Sequence, residues 1–353
     1  MKFTKNFAGT EPGDDVSRMG KVSINDIAKA AGVCIGTVSR VINNLDRVHP
    51  GTRERIQKII AETGYHPSQA GRALVSGKTL NVLVLVHNIA DPYCAAISKI
   101  FSRRWHDLGY QMLLGDSNCD PELEREHLAH ARHGSVDGLI VAPVPGRKNS
   151  SIYREILKTG LPLVAIDNRV EGVQIHCIKY DDAAAARMAV EYLAGKGHRH
   201  IAFVHSQVEF QTVKDRLAGY RETMKRRNLP LNEFQTPLSN DPNEAAEAIR
   251  KFMRREPAPT ALVAENEIMA LVCMNTLLQA GFEIPREAAV VAFGDTLTGH
   301  FTPVPLTTVS VRHQLMCQQA VEILSRLMEC PSTPKQASVQ DLIQPEIIVR
   351  ASA

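Results

Sequence analysis

Residues 22–43 read Val-Ser-Ile-Asn-Asp-Ile-Ala-Lys-Ala-Ala-Gly-Val-Cys-Ile-Gly-Thr-Val-Ser-Arg-Val-Ile-Asn, two short helical patterns on either side of Gly32. Ser23 heads the first pattern, where a hydroxyl accepts an orphaned backbone N–H. Ile24, Ile27 and Ala28 then fall on one helix face. Gly32 permits the positive φ of the tight turn that follows. In the second pattern Val38, Val41 and Ile42 point inward, and Thr37, Ser39, Arg40 and Asn43 point outward. Two helices joined in this way form a helix-turn-helix, whose second helix fits the major groove of DNA. An ordinary helical hairpin has the same periodicity. The outward face separates the two readings, because hydroxyls, an amide and an arginine suit phosphates and base edges.

The charge follows the same division. Residues 21–78 hold nine Lys/Arg against four acids, a net +5, while the whole chain is only +3, which leaves −2 elsewhere. A basic head on a slightly acidic body suits DNA binding by one end. At 353 residues, 44% hydrophobic and 22% charged, the chain has a globular composition and exceeds one ordinary domain. Its seven cysteines are scattered and odd in number, without C-x-x-C pairing. That favours reduced thiols in a cytosol over a disulfide frame or a zinc ribbon. No apolar run approaches the ~18 residues of a membrane helix, so a membrane partner is not expected. Residues 1–20 are polar, lack a signal-peptide core and read as a disordered tail, with Met19 a candidate alternative start.

Beyond the hairpin, His49-Pro50-Gly51-Thr52-Arg53 opens a third helix that runs to about Thr63 and closes on Gly64, completing a domain over 21–67. Residues 68–79 form a connector. From residue 80 onward, apolar strand runs alternate with amphipathic helical runs. Strand candidates are 81–87, 111–115, 138–142, 163–166, 200–205, 261–264 and 289–293. Helical stretches include 95–108, 121–133, 183–196, 213–228 and 244–254. Such alternation implies parallel sheets covered by helices, here two doubly wound halves with a ligand cleft at the carboxyl ends of the strands. There is no G-x-G-x-x-G after the first strand, no P-loop and no G-x-S-x-G elbow, so no enzyme fingerprint is present.

Ser23-Ile24-Asn25-Asp26-Ile27-Ala28, Ala31-Gly32-Val33 and Thr37-Val38-Ser39-Arg40-Val41-Ile42-Asn43 resemble the amino-terminal pattern of the LacI/GalR family of bacterial transcription regulators. The resemblance continues through Asp137-Gly138-Leu139-Ile140, Gly197-His198-Arg199-His200-Ile201-Ala202, Arg216-Leu217-Ala218-Gly219-Tyr220, Leu306-Thr307-Thr308-Val309 and Ile348-Val349-Arg350-Ala351-Ser352. It implies a small all-α helix-turn-helix domain plus an α/β periplasmic-binding-protein-like core of two doubly wound parallel-sheet subdomains. It also implies three chain crossings, with an N-subdomain of about 80–179 and 309–337 and a C-subdomain of about 180–308 and 338–353. The implied function is a cytoplasmic, sequence-specific repressor controlled by a small-molecule effector, a sugar or sugar derivative, with no cofactor. Its partners would be a pseudo-palindromic operator and a second copy, a homodimer at least, with a tetramer left open. A solute-binding protein or a sugar-processing enzyme on the same core are the competing readings. The 22–74 region and the lack of a signal peptide oppose the first, and the missing fingerprints oppose the second.

Residue by residue, the resemblance places Ser23, Ile35, Gly36, Thr37, Ser39, Arg40, Asn43 and Arg53 at DNA, with Arg72 and Leu74 in a hinge helix over the minor groove. An apolar wedge such as Leu74 kinks the duplex, although Gly71 should cost that helix about 1 kcal/mol. Ile35 can touch a thymine methyl, Gly36 offers no side chain, and Arg40 is the candidate for bidentate guanine contact. Thr37, Ser39 and Asn43 would hold phosphates. Cys34 stands where the family has serine and should cap the recognition helix less well. At the cleft the resemblance places Tyr93, Asp167, Arg216, Asn266, Glu267 and Asp295. His87, ending the first strand, either meets the ligand or is a satisfied core-edge histidine. Glu267 is one methylene longer than the family's aspartate, and Gly294 replaces another acid. His127, His130 and His133, at i, i+3, i+6, read as a solvated helix face rather than a metal site.

Overall fold

The computed structural model describes residues 22–42, 44–65, 77–206, 210–236, 242–330 and 340–353. The chain divides into two compact units, up to Lys78 and from Thr79. The first unit holds α1 (Ile24–Ala31), α2 (Ile35–Ile42) and α3 (Pro50–Thr63). A capping box starts α1: the Asp26 amide donates to Ser23 Oγ at 3.4 Å, and Asp26 Oδ2 accepts from the Ser23 amide at 2.9 Å. Gly32 ends it with φ 63°, which a Cβ would disfavour. Ile27, Ala28, Ala31, Val38, Val41, Ile56 and Tyr65 form a small buried core. The tail, Asn43, and the hinge with Arg72 and Leu74 lie outside the described residues.

The second unit contains two six-stranded sheets. The first is built from β1 (Asn81–Val86), β2 (Gln111–Asp116), β3 (Gly138–Val141), β4 (Leu163–Ile166), β5 (His176–Tyr180) and, from the chain's end, β11 (Gln340–Ile343). Its order is β11-β5-β4-β3-β1-β2, all parallel. The second is built from β6 (Ile201–His205), β7 (Glu233–Gln235), β8 (Ala261–Ala264), β9 (Ala289–Phe293), β10 (Thr307–Ser310) and β12 (Glu346–Ile348), in the order β12-β10-β9-β8-β6-β7. Among the described residues only the β10–β12 pair is antiparallel.

Asn-Val-Leu-Val-Leu-Val in β1 is buried on both faces, as a central parallel strand sandwiched by helices should be. On one face of the first sheet lie α4 (Pro92–Asp107) and α11 (His313–Glu329), closing over Phe101, Trp105 and Leu324. On the other lie α5 (Pro121–His130) and α6 (Ser150–Thr159). The second sheet is covered by α7 (Asp182–Gly195) and α8 (Gln211–Arg226) on one side and by α9 (Pro242–Met253) and α10 (Glu267–Gln279) on the other.

The chain passes between the halves after β5, after β10 and after β11. The third passage therefore falls between Ile343 and Glu346, later than the expected 337/338 boundary, because β11 pairs with β5. Among the described residues no helix is long and apolar enough to cross a membrane.

Candidate functional site

In each sheet the strand order reverses at one position, at β1 between β2 and β3, and at β6 between β7 and β8. Loops leaving the carboxyl ends of strands diverge at such points and open a crevice. Here the two crevices face each other across a cavity of about 260 Å³. The first half contributes His87 after β1, Tyr93 from the first turn of α4, Asp167 and Asn168 after β4, and Tyr180 from β5. The second half contributes Ser206, Phe210, Arg216, Glu265, Asn266, Glu267, Phe293 and Gly294.

Asp167 is 4% exposed and sits in a γ-turn, with φ 63° and the Asn168 amide donating back to the Ile166 carbonyl at 2.6 Å. A non-glycine residue in that region is strained, and such strain concentrates at functional positions. Its Oδ1 accepts from the Tyr93 hydroxyl at 2.7 Å, which also meets the Tyr180 hydroxyl at 2.9 Å. Burial pushes the carboxyl up to about 7, partly opposed by the Tyr93 hydrogen bond. Its Oδ2 has no partner, and neither do Asn168 Oδ1 and Glu265 Oε2.

Arg216 is held in one pose by three groups. Its Nε donates to Asp182 Oδ1 at 2.8 Å, its Nη1 donates to the Glu265 carbonyl at 2.5 Å, and its guanidinium lies 4.7 Å from the Phe293 ring centroid. Asp182 is itself 1% exposed. A buried, paired arginine of this kind cannot easily turn away, so its remaining face is presented to the cavity.

Two of the expected cleft residues, an amide and an acid, also make internal hydrogen bonds. Asn266 Oδ1 caps α10 by accepting from the Met269 amide at 2.8 Å. The Glu267 carboxylate accepts from the Thr296 amide at 3.0 and 3.1 Å. Both residues still line the cavity. Gly294 follows from this: with φ 121°, an added Cβ would lie 2.8 Å from Glu267 Oε2, so the longer acid fills the space of the missing one. Asp295 is corrected. It does not line the cavity but binds Arg350 Nη2 at 2.6 Å and Thr308 Oγ1 at 3.2 Å. His87 combines both readings: it lines the cavity, packs 5.2 Å from Phe210 and has its affinity for protons lowered by burial. Asn168, Glu265, Tyr180 and Phe293 were missed, although a strict rule of looking at or just past each strand's carboxyl end would have found them.

On the head, Ile35, Gly36 and Arg40 are exposed along α2, while Thr37 and Ser39 are half-buried. An added Cβ at Gly36 would meet only Cys34 Sγ, at 3.9 Å. The Cys34 thiol sits 3.3 Å from Thr37 Oγ1, and that hydrogen bond draws its pKa down. Two expected DNA contacts have internal partners. Ser23 Oγ donates to Asp26 Oδ2 at 2.7 Å. Arg53 donates to Asn44 Oδ1 at 3.1 Å and to the Leu45 carbonyl at 2.6 Å, pinning the α2–α3 loop. His127 Nε2 donates to the Asp116 carbonyl oxygen at 3.2 Å, and no cluster among the described residues could hold a metal.

A helix-turn-helix head followed by two facing doubly wound sheets is the plan of a DNA-binding regulator with a ligand cleft. Residues 23–68 match the family described as bacterial regulatory proteins, lacI family, and residues 190–353 match the periplasmic binding protein-like domain. The chain is 29% identical over 336 residues to the HTH-type transcriptional regulator DegA of Bacillus subtilis (strain 168), covering 94% of this chain and 98% of that one. It is 26% identical over 335 residues to the HTH-type transcriptional regulator GalR of Escherichia coli (strain K12), covering 94% and 95%. The lac repressor dimer bound to operator and the anti-inducer ONPF shares the fold, with TM-score 0.81, 24% identity, and 94% and 99% of the two chains covered. A transcriptional regulator CelR–cellobiose complex aligns with TM-score 0.68 and 25% identity over 94% of this chain and 100% of that one. The chain thus carries a lacI-family domain and a periplasmic-binding-protein-like domain, and the curated relatives named here are HTH-type transcriptional regulators. These relatives are regulators rather than enzymes.

Proposed function

We propose that this regulator is a cytoplasmic repressor whose operator affinity is set by a small carbohydrate held between the two core halves. The observation that carries the reading is the set of partnerless acceptors on Asp167, Asn168 and Glu265, beside a fixed Arg216, lining one cavity. Buried acceptors without donors are costly, and a sugar's hydroxyls supply donors in the required number. One similar structure points the same way by its title, a CelR–cellobiose complex. On the head, Arg40 reads a base, and Leu74 with Arg72 extends the reading into the minor groove.

The operator is pseudo-palindromic, because a homodimer presents two recognition helices about a two-fold axis. Leu113 and Leu114 are exposed on the edge strand β2, and Leu297 and Phe301 are exposed on the second half at 72% and 83%. Apolar edges of this kind are normally covered, here by the second copy. Selection of bound duplexes from a random library tests the reading. A two-fold symmetric consensus that sugar titration releases or tightens is expected. Asymmetric or sequence-indifferent binding would overturn it.

A further inference from the structure

We infer that the effector carries an ammonium group, so that the ligand class is an amino sugar rather than a neutral or phosphorylated one. The inference rests on the carbohydrate reading above and concerns only the charge of its ligand. Among the described residues the cavity lining supplies four carboxylates, Asp91, Asp167, Glu265 and Glu267, against one guanidinium, Arg216. That guanidinium is already neutralised by the buried Asp182, whose Oδ1 lies 2.8 Å from Nε. His87 is kept neutral by its burial. The lining is thus richer in acids than in cations, and burial holds protons on part of those acids until a cation arrives.

The surplus charge is also unevenly bound. Asp91 caps the Tyr93 amide at 2.8 Å, and Glu267 is held by the Thr296 amide. Asp167 and Glu265, each 4% exposed, keep one oxygen with no partner. Both are pushed toward the protonated form by that burial. An isolated buried carboxylate is unfavourable, and a charge-assisted N⁺–H donor is the partner that offsets it most. A hydroxyl satisfies geometry without supplying charge. A phosphate or carboxylate on the ligand would add repulsion. A metal ion is not the counter-charge, since no group of His, Cys, Asp and Glu among the described residues is arranged to hold one.

Isothermal titration of the full chain with matched probes tests this. The probes are glucose, galactose and mannose, their 2-amino forms, the N-acetylated amines and the 6-phosphates. At least one amine should bind roughly tenfold or more tightly than its neutral parent, as a charge-assisted bond replaces a neutral one. Acetylation should abolish the gain. Glu265→Gln, which keeps the shape, should weaken both ligands but the amine far more, so that the ratio of amine to parent affinity collapses toward one. Parent and amine binding alike, or a phosphate binding best, would overturn the ammonium inference and leave the carbohydrate reading standing. No binding by any probe would overturn both.

Discussion

Asp167 couples the cavity to solution conditions. An exposed aspartate titrates near pH 4, and burial holds this one up to about 7. The folded chain therefore keeps the proton to higher pH than the unfolded chain does. The group's contribution to stability is full below about pH 4 and is lost as pH rises through about 7. Denaturant unfolding at pH 5 and pH 8 should show the wild type losing on the order of 1–3 kcal/mol more than Asp167→Asn across that window. Parallel losses would refute the shift. On the head, Arg40 and Arg53 should separate. Arg40→Ala should relax sequence preference by roughly 1–3 kcal/mol at its base pair. Arg53→Ala frees the Asn44–Leu45 loop, which should cost about 1 kcal/mol of head stability and weaken all DNA alike. Titrations on operator and scrambled duplexes decide, and equal losses on both for Arg40→Ala would end its base-reading role. Residues of this scale were only half legible. Arg216 and Asp167 could be placed by motif and strand end, but the capture of Asp295 by Arg350 joins positions 55 apart in sequence, and no local pattern reports it.

Elements were legible where their burial is uniform. The apolar runs of β1, β3, β4, β8 and β9 are central parallel strands, buried on both faces, and stand out in the sequence. His-Cys-Ile-Lys-Tyr of β5 is equally buried but was not recognised, because Lys179 interrupts the run. Its ammonium is tolerated inside through Asp215 on α8, 2.8 Å away. β7 and β12 have three residues each, too few for any period to show. The packing of α7 on α8 offers a sharp test. A Cβ on Gly219 would lie 2.3 Å from the Ala183 carbonyl oxygen and 2.8 Å from its Cα, so neither helix can yield without moving backbone. Gly219→Ala should destabilise the core by about 3 kcal/mol. Gly195→Ala, at the end of α7 with nothing within 4 Å, should be neutral or stabilising by about 0.5–1 kcal/mol. Thermal melts of the two variants check this, and a Gly219→Ala protein melting with wild type would show that the helices can part.

At the scale of the whole core, alternation predicted two halves and a cleft, but the third crossing was misplaced because β11 returns to the first sheet after the last helix. That return matters for the cleft, since it leaves three strands of chain joining the halves and lets contacts across the gap set how far they open. Two such contacts span the gap, the first of them outside the residues expected to hold the ligand. Lys179 on β5 meets Asp215 on α8, and His87 packs against Phe210. The ion pair is the stronger candidate for a latch, because Lys179 is 7% exposed and its charge has little water to fall back on. A ligand touching both halves binds the closed arrangement, so its apparent affinity scales with the closed fraction. Asp215→Asn keeps the side-chain shape, leaves the cavity lining intact and weakens the latch. It should reduce effector affinity roughly tenfold, the range of an ordinary coupling energy, and raise the radius of gyration of the ligand-free protein in small-angle scattering. Saturating effector should bring the two proteins back to one scattering profile. If affinity falls while the ligand-free profiles stay identical, Asp215 acts on the ligand directly and the latch is wrong.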